Sequence, residues 1–388
     1  MTSTVNTTKK PMPPVLWALL FGNFVIGTGV MAVPGTLNEL STSLQVPVAT
    51  AGQLISVGAL LICLGAPLFA SLVAGWDRRR LLTLTMLWYA VLHLVCAAMP
   101  TFGSFFLVRV LAMVSPAVFT PQAAACVGLL VAADQRGKAI TMVFLGWSVA
   151  SVLGMPIAAW TGGTLGWRST FIVIGVLGLL STAWVWRAMP NGIKPPALSW
   201  NDWRRVLGSK ALMLCVAVTA LYSAGQFVLF AYFAPYFKTT LALSPTQLSL
   251  LFAWFGLFGF IGNLWMSNNI DRIGAPKGVF VAVSGMAVSM LLWPVGNTII
   301  LAAIIMVPWA LGCFSSNSAQ QSRLVALGPT LASASIALNT SAMYVGQAVG
   351  AASGGWMISH DNMSQLHWMG LAGLLLSLAV SVGAARSK

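Results

Sequence analysis

The run LISVGALLICLGAPLFASLVAGWDRRRLL, residues 54–82, decides how the rest of the chain is read. From Leu54 to Trp76 it holds no charged residue, and then Asp77, Arg78, Arg79 and Arg80 follow at once. A helix rising about 1.5 Å per residue needs roughly 20 such apolar residues to cross the hydrocarbon of a bilayer. The charged group that ends the run marks a return to water. Working outward, the same alternation recurs along all 388 residues. We place twelve spans at 14–37, 49–74, 81–100, 102–130, 138–161, 168–187, 210–236, 246–269, 278–294, 297–320, 331–357 and 365–385. Hydrophobicity alone also fits ten or eleven, because the pairs around Pro100 and Gly296 are separated by very short turns.

Composition excludes a water-soluble fold. Hydrophobic residues make up 58% of the chain and charged residues 7%, against roughly 25% charged in a soluble domain. The net charge of +14 is distributed as a topology signal. With the N-terminus (Lys9, Lys10) in the cytoplasm, the cytoplasmic gaps hold Arg78–Arg80, Arg136, Lys138, Arg187, Lys194, Arg204, Arg205, Lys210, Arg272, Lys277 and Arg323, and the C-terminal end holds Arg386 and Lys388. Arg168 and Lys238 fall outside, and Arg109 lies within a span. This positive-inside bias predicts both termini in the cytoplasm. No basic patch interleaved with aromatics faces water, so nucleic acid is not an expected partner. The cysteines, Cys63, Cys96, Cys126, Cys215 and Cys313, all fall inside spans and far apart, which argues against disulfides or a metal site. The first apolar run is too long for a signal-peptide core and reads as a span.

The hydrophilic stretch 188–209 divides the chain into two six-span halves, 1–187 and 210–388, and the halves echo each other. Asp77-Arg78 follows the second span and Asp271-Arg272 the eighth. Gly154, Pro156, Gly162 and Gly163 mark the fifth span; Gly346 and Gly354 mark the eleventh, 192 residues after Gly154 and Gly162. Such recurrence indicates a parallel internal repeat. Small residues let helix backbones approach in lipid. The glycines therefore predict tight packing of the fifth and eleventh spans at the interface between halves, ordinary packing elsewhere in the bundle being the alternative.

On these residues the chain resembles the major facilitator superfamily, and within it the drug/proton-antiporter-like bacterial efflux permeases. Asp77-Arg78-Arg79-Arg80 is similar to the family's turn between helices 2 and 3, although the glycine usual after its Asp-Arg pair is missing. Asp271-Arg272-Ile273-Gly274 with Lys277 resembles the second-half copy. Arg109 with Pro116 and Pro121 resembles the arginine signature of helix 4. Gly154-Met155-Pro156, Gly162-Gly163 and Gly166-Trp167-Arg168 resemble the exporter signature of helix 5. The resemblance implies an all-α membrane protein of twelve transmembrane helices in two parallel six-helix repeats, lying in a bacterial inner membrane. It also implies a small-molecule substrate, protons as coupling ion and no cofactor; a monomer is expected.

Arg109 is the sharpest single residue. It sits about seven residues from the outer end of its span, roughly 10 Å deep, where an arginine either snorkels outward or faces protein or a water cavity. The resemblance implies the second. Its natural partner would be an acid, and the six available (Glu39, Asp77, Asp134, Asp202, Asp271, Asp361) include none well inside a span. Glu39, at the outer end of the first, is nearest. His93 titrates near neutral pH in water, but it lies in a span that is peripheral in the resembling fold, and packing as a neutral ring is the reading taken. Proton coupling thus follows from the resemblance and not from the residues. Amides, phenols and indoles are plentiful: Asn23, Gln53, Gln122, Trp147, Tyr222, Gln226, Trp254, Asn317, Asn339 and Tyr344 are the candidates for a substrate cavity. Such a lining suits neutral or weakly charged organic molecules, and Arg109 would serve an anion. The Asp77-Arg78 and Asp271-Arg272 turns are read as conformational switches, and the arginines also as topology markers.

The leading reading is a secondary active exporter working by alternating access. Import or uniport of a small polar metabolite is the alternative. No GxxxxGK[ST] phosphate loop occurs. An intramembrane enzyme would need more than the three histidines His93, His360 and His367 supply, and the two-half repeat disfavours a channel or receptor.

Overall fold

The computed structural model describes residues 13–73, 75–132, 136–194 and 200–386. Lys9, Lys10, Asp134, Lys388 and part of the central linker, including Pro195 and Pro196, lie outside the described residues. The chain is all-helical: α1 (Val15–Ser43), α2 (Val48–Leu72), α3 (Arg78–Ala98), α4 (Phe102–Ala112), α5 (Val114–Leu130), α6 (Arg136–Val149), α7 (Met155–Leu165) and α8 (Trp167–Ala188) precede the linker. A short helix, α9 (Trp200–Gly208), lies in it. There follow α10 (Lys210–Phe230), α11 (Phe233–Leu241), α12 (Pro245–Ile273), α13 (Ala275–Leu292), α14 (Ile299–Leu327), α15 (Ala332–Ser359) and α16 (Leu366–Arg386).

Proline sets the breaks within spans. Pro116, Pro156 and Pro235 each lack the N–H that would close a turn four residues back. At these places α4 gives way to α5 and α10 to α11, and a π-turn, Ala150–Gly154, joins α6 to α7. The short turns around Pro100 and Gly296 are real separations. Thr101 caps α4 through the Ser104 N–H, and Thr298 caps α14 through the Leu301 N–H. Gly166 and Gly274 end one helix and begin the next at φ +84°, a conformation an L side chain rarely adopts.

Among the described residues, eleven helical segments are long and apolar enough to cross a membrane. The one predicted span not among them is the eleventh, 331–357, which corresponds to α15, long enough but carrying Asn339, Thr340, Ser341, Gln347 and Ser353 along its length. It is nevertheless in the bundle, packed on α10 and α2. Two details differ from expectation. Helix α1 continues to Ser43, so Glu39 lies within it, and the linker contains α9, whose Val206 is buried beside Leu212 and Leu324.

The fifth and eleventh spans each meet a helix of the other half, α7 meeting α12 and α15 meeting α2. The predicted glycines do something narrower. A Cβ on Gly154 or Gly162 would run into Thr28 or Thr36 of α1, and one on Gly346 or Gly354 into the Ala220 or Val228 carbonyl of α10. These four close each half on itself. The next residues stand at the seam: Gly163 abuts Pro245 of α12, and Gly355, 192 positions on, lies against the Tyr232 hydroxyl of its own half with the Ala49 carbonyl of α2 just beyond.

The apolar core also has two ends. Away from the basic turns one cluster joins the halves through α1, α7, α10, α11 and α12, with an aromatic knot of Phe230, Phe233, Phe252, Phe255, Trp293 and Trp309, and it runs on within the second half to Met266 and Val279. Toward the basic turns it divides into two clusters, one for each half, with Tyr344 bridging along α15. The bundle is therefore zipped at the far end and parted at the basic end.

Candidate functional site

Arg109 is buried at 2% exposure on the last turn of α4 and does not snorkel. Its Nη1 donates to His93 Nε2 of α3 at 2.8 Å, its Nη2 donates to the Gly29 carbonyl of α1 at 2.5 Å, and the guanidinium stands 5.7 Å from the Phe171 ring of α8. His93 Nδ1 lies 2.8 Å from the Tyr89 carbonyl. A carbonyl only accepts and a guanidinium only donates. The two contacts therefore fix His93 as a neutral ring with its proton on Nδ1 and its lone pair on Nε2. Close approach depends on Gly29, where a Cβ would meet the Tyr89 hydroxyl and His93 Nε2. Tyr89 in turn donates to the Ile26 carbonyl at 3.0 Å. His93 is the packed, neutral ring expected, and the structure adds that Arg109 is the side chain it holds.

Glu39 is not that partner. It receives Lys238 Nζ of α11 at 3.2 Å, at the zipped end of the bundle. Arg109 also borders a central cavity of about 60 Å³. Its walls include Met31 and Ile55 of the first half, Phe230 of the second, and the polar groups of Trp147, Tyr344 and Gln347. Trp147 Nε1 and Arg109 Nε are buried without an acceptor. Arg109 thus sets one positive charge beside the cavity, and no carboxylate is among its lining residues. Drug-sized sites occupy about 300–1,000 Å³, so this conformation admits waters and no larger solute.

Of the ten cavity candidates, Trp147 and Tyr344 line this space. Asn23 donates to the Val143 carbonyl and accepts from Thr120, tying the first, fourth and fifth spans. Asn339 accepts from Thr219 at 2.5 Å and donates to Asn317 at 3.1 Å, tying the seventh, tenth and eleventh. These amides are spent within each half, at corresponding places. Gln226 accepts from Trp309 Nε1. Tyr222 is buried nearby and Gln122 is buried in α5, neither on the cavity wall. Gln53 and Trp254 are exposed, the indole donating to the Ala303 carbonyl.

The two charged turns differ. Asp77 caps α3 through the Arg80 N–H and accepts the Gly192 N–H at 2.5 Å. Arg78, 2% exposed, donates to the Val73 and Trp76 carbonyls, and Arg79 reaches the Trp186 carbonyl and Asn191. Asp271 and Arg272 are exposed.

The model of the Major Facilitator Superfamily matches residues 19–351. The chain belongs to the major facilitator superfamily. It is a multi-pass membrane transporter of small molecules. The chloramphenicol resistance protein of Streptomyces lividans is 30% identical over 96% of this chain and 95% of its own. An uncharacterized MFS-type transporter of Bacillus subtilis (strain 168), YbcL, is 24% identical over 95% and 94%. A bacterial homologue of the human lysosomal transporter Spinster, solved in an inward-facing, unoccupied conformation, has TM-score 0.76 at 15% identity and covers 96% of both chains, which is a likeness of fold.

Sequence reasoning within this superfamily chain missed two things. The apolar wall around Met113 leaves no mark in a one-dimensional pattern. His93 does leave one. It precedes Pro100 by seven residues and Arg109 follows by nine, so on adjacent antiparallel helices joined by a tight turn the two stand at similar depth.

Proposed function

We propose that the chain is a proton-coupled exporter of small organic molecules in a bacterial inner membrane, working as a monomer. Two six-helix repeats, residues 1–187 and 210–388, rock about a central site, with 188–209 as a cytoplasmic linker and both termini cytoplasmic. On this reading the basic end faces the cytoplasm, and the conformation zipped at Glu39–Lys238 is inward-facing. The observation that carries the substrate reading is a cavity bordered by one buried cation, with Trp147, Tyr344 and Gln347 among its lining residues and no carboxylate. Such a site suits a neutral or anionic molecule rich in oxygen acceptors with an apolar body, and gives an organic cation no counter-charge. The chloramphenicol resistance relative supports efflux of that class. Arg109 is the charge at the site, and Trp147, Tyr344 and Gln347 are its polar lining. The Asp77-Arg78 and Asp271-Arg272 turns hold the cytoplasmic helix ends when the protein faces outward; the exposure of Asp271 and Arg272 in the parted state agrees with that role.

The test is purified protein in liposomes with a trapped pH indicator, presented first with chloramphenicol and then with sugars and nucleosides. Substrate-dependent proton movement supports antiport. Flux without proton movement favours uniport or another coupling ion and overturns the coupling part of the reading.

A further inference from the structure

We propose that His93 binds the coupling proton, in place of a carboxylate deep in the membrane, Glu39 standing near the far end of α1 and paired with Lys238. The inference rests on the transporter reading and goes beyond it by naming the site. The His93 Nε2 lone pair has two mutually exclusive occupants. In this conformation it accepts an N–H of Arg109 at 2.8 Å. A proton added to the same nitrogen would set N–H against N–H and break that bond, while Nδ1–H keeps its hold on the Tyr89 carbonyl. Arg109 would then be left with the Gly29 carbonyl and a positive neighbour in a low-dielectric site.

The surroundings contain nothing else to take this role. Arg109 faces the ring from α4, Tyr89 and Cys96 share α3 with it, α1 presents the Gly29 carbonyl, and α8 presents Phe171. On α5, Cys126 lies toward Arg78 instead, and Tyr344 of α15 stands beside Tyr89. No carboxylate is among these groups. Arg109 borders both His93 and the cavity, so its withdrawal would uncover Nε2 toward that space and give the proton its route.

The exchange has a definite sign. Protonated His93 drives Arg109 into a cavity that measures about 60 Å³ in this conformation, so that it takes up space a neutral solute would need. Loss of the proton draws Arg109 back to the position seen here and leaves that space free to widen around a solute as the halves rock. Proton and neutral solute therefore exclude each other, which is antiport, and each cycle moves net charge.

The experiment uses the full chain in lipid nanodiscs, with spin labels at the exposed residues Arg187 and Asn268 on the basic ends of the two halves. In the wild type the inter-label distance distribution shifts as the pH is taken from 8 to well below the ordinary histidine range. His93→Gln keeps an acceptor for Arg109 but takes no proton, and is expected to show one distribution at both pH values. An unshifted wild type, or a variant that shifts as the wild type does, overturns the proposal. Should the variant fail to fold, nitrogen-15 spectra of histidine-labelled wild type decide. With only three histidines in the chain, His93 is expected to pass from the Nδ1–H neutral form to the doubly protonated form as pH falls, and its staying neutral throughout overturns the proposal. These readouts need no substrate. A failure of antiport in liposomes is therefore separable from a failure of His93 to bind the proton.

Discussion

Lys238 Nζ donates to Glu39 Oε1 across 3.2 Å and joins α11 to α1 at the end of the bundle where the two halves share one core. Both side chains are partly exposed, at 50% and 21%, so the pair adds little to overall stability, about 0–1 kcal/mol. Its importance lies in which state it favours. Glu39→Gln is expected to leave the melting temperature almost unchanged while raising thiol labelling of cysteines placed near Phe237. The exchanged pair Glu39→Lys with Lys238→Glu should restore protection. Unchanged labelling in Glu39→Gln would remove the bolt from the account.

Arg109→Ala should lower transport at least tenfold at every pH, a loss of about 1.4 kcal/mol or more. It removes the charge beside the cavity and leaves His93 Nε2 and the Gly29 carbonyl without their donor. Arg109→Lys cannot donate in the same fork to both and is expected to fall between. Intact transport by Arg109→Ala in vesicles would exclude any role for the residue in binding or coupling.

Asn339→Ala breaks contacts with Thr219 and Asn317. At about 0.6 kcal/mol for each interhelical bond in a membrane bundle, it should cost about 1–2 kcal/mol of stability and leave the KM of a transported probe unaltered. Asn23→Ala, which breaks the tie among the first, fourth and fifth spans, should behave alike. A large KM change with normal thermal stability would put these amides back in the solute's path.

Gly346→Ala and Gly163→Ala should separate stability from conformation. The first drives a methyl into the Ala220 carbonyl inside one half, an overpacking of about 1–3 kcal/mol with no escape, and is read as a lowered melting temperature. The second meets Pro245 across the seam, where parting the halves relieves it. It should melt nearly normally and populate the state open at the far end. Equal destabilisation of both would contradict this division.

Most of the architecture is visible in one dimension because lipid imposes it. Apolar length, the punctuation by Asp77-Arg78 and Asp271-Arg272, and the 192-residue spacing of the glycines are all local signals. α15 escaped the apolarity criterion because interior amides such as Asn339 lower it. The site was less legible. Arg109 announces itself by being charged within a span. Whether an amide faces a cavity or a neighbouring helix depends on rotation about the helix axis, and small errors in span ends hide that rotation. Asn23 and Trp254 were therefore grouped with Tyr344 in the sequence, although they face three different environments. The true partner of Glu39 stayed hidden for a related reason, since Lys238 is remote in sequence and near only in the fold.

The contacts of Asp77 with Gly192 and of Arg78 with Ile193 shorten the leash between the halves. By sequence the connection runs from 188 to 209. In the structure its first residues are pinned to the start of α3, and α9 is anchored through Val206 on the second half. What joins the two anchored ends is the chain from Ile193 to Trp200. Fully extended, that chain reaches about 25 Å. However far the halves rock, the parting at this edge of the basic end has a covalent ceiling, and shortening the segment by a few residues would set a stop on the stroke without touching any residue that meets solute or proton.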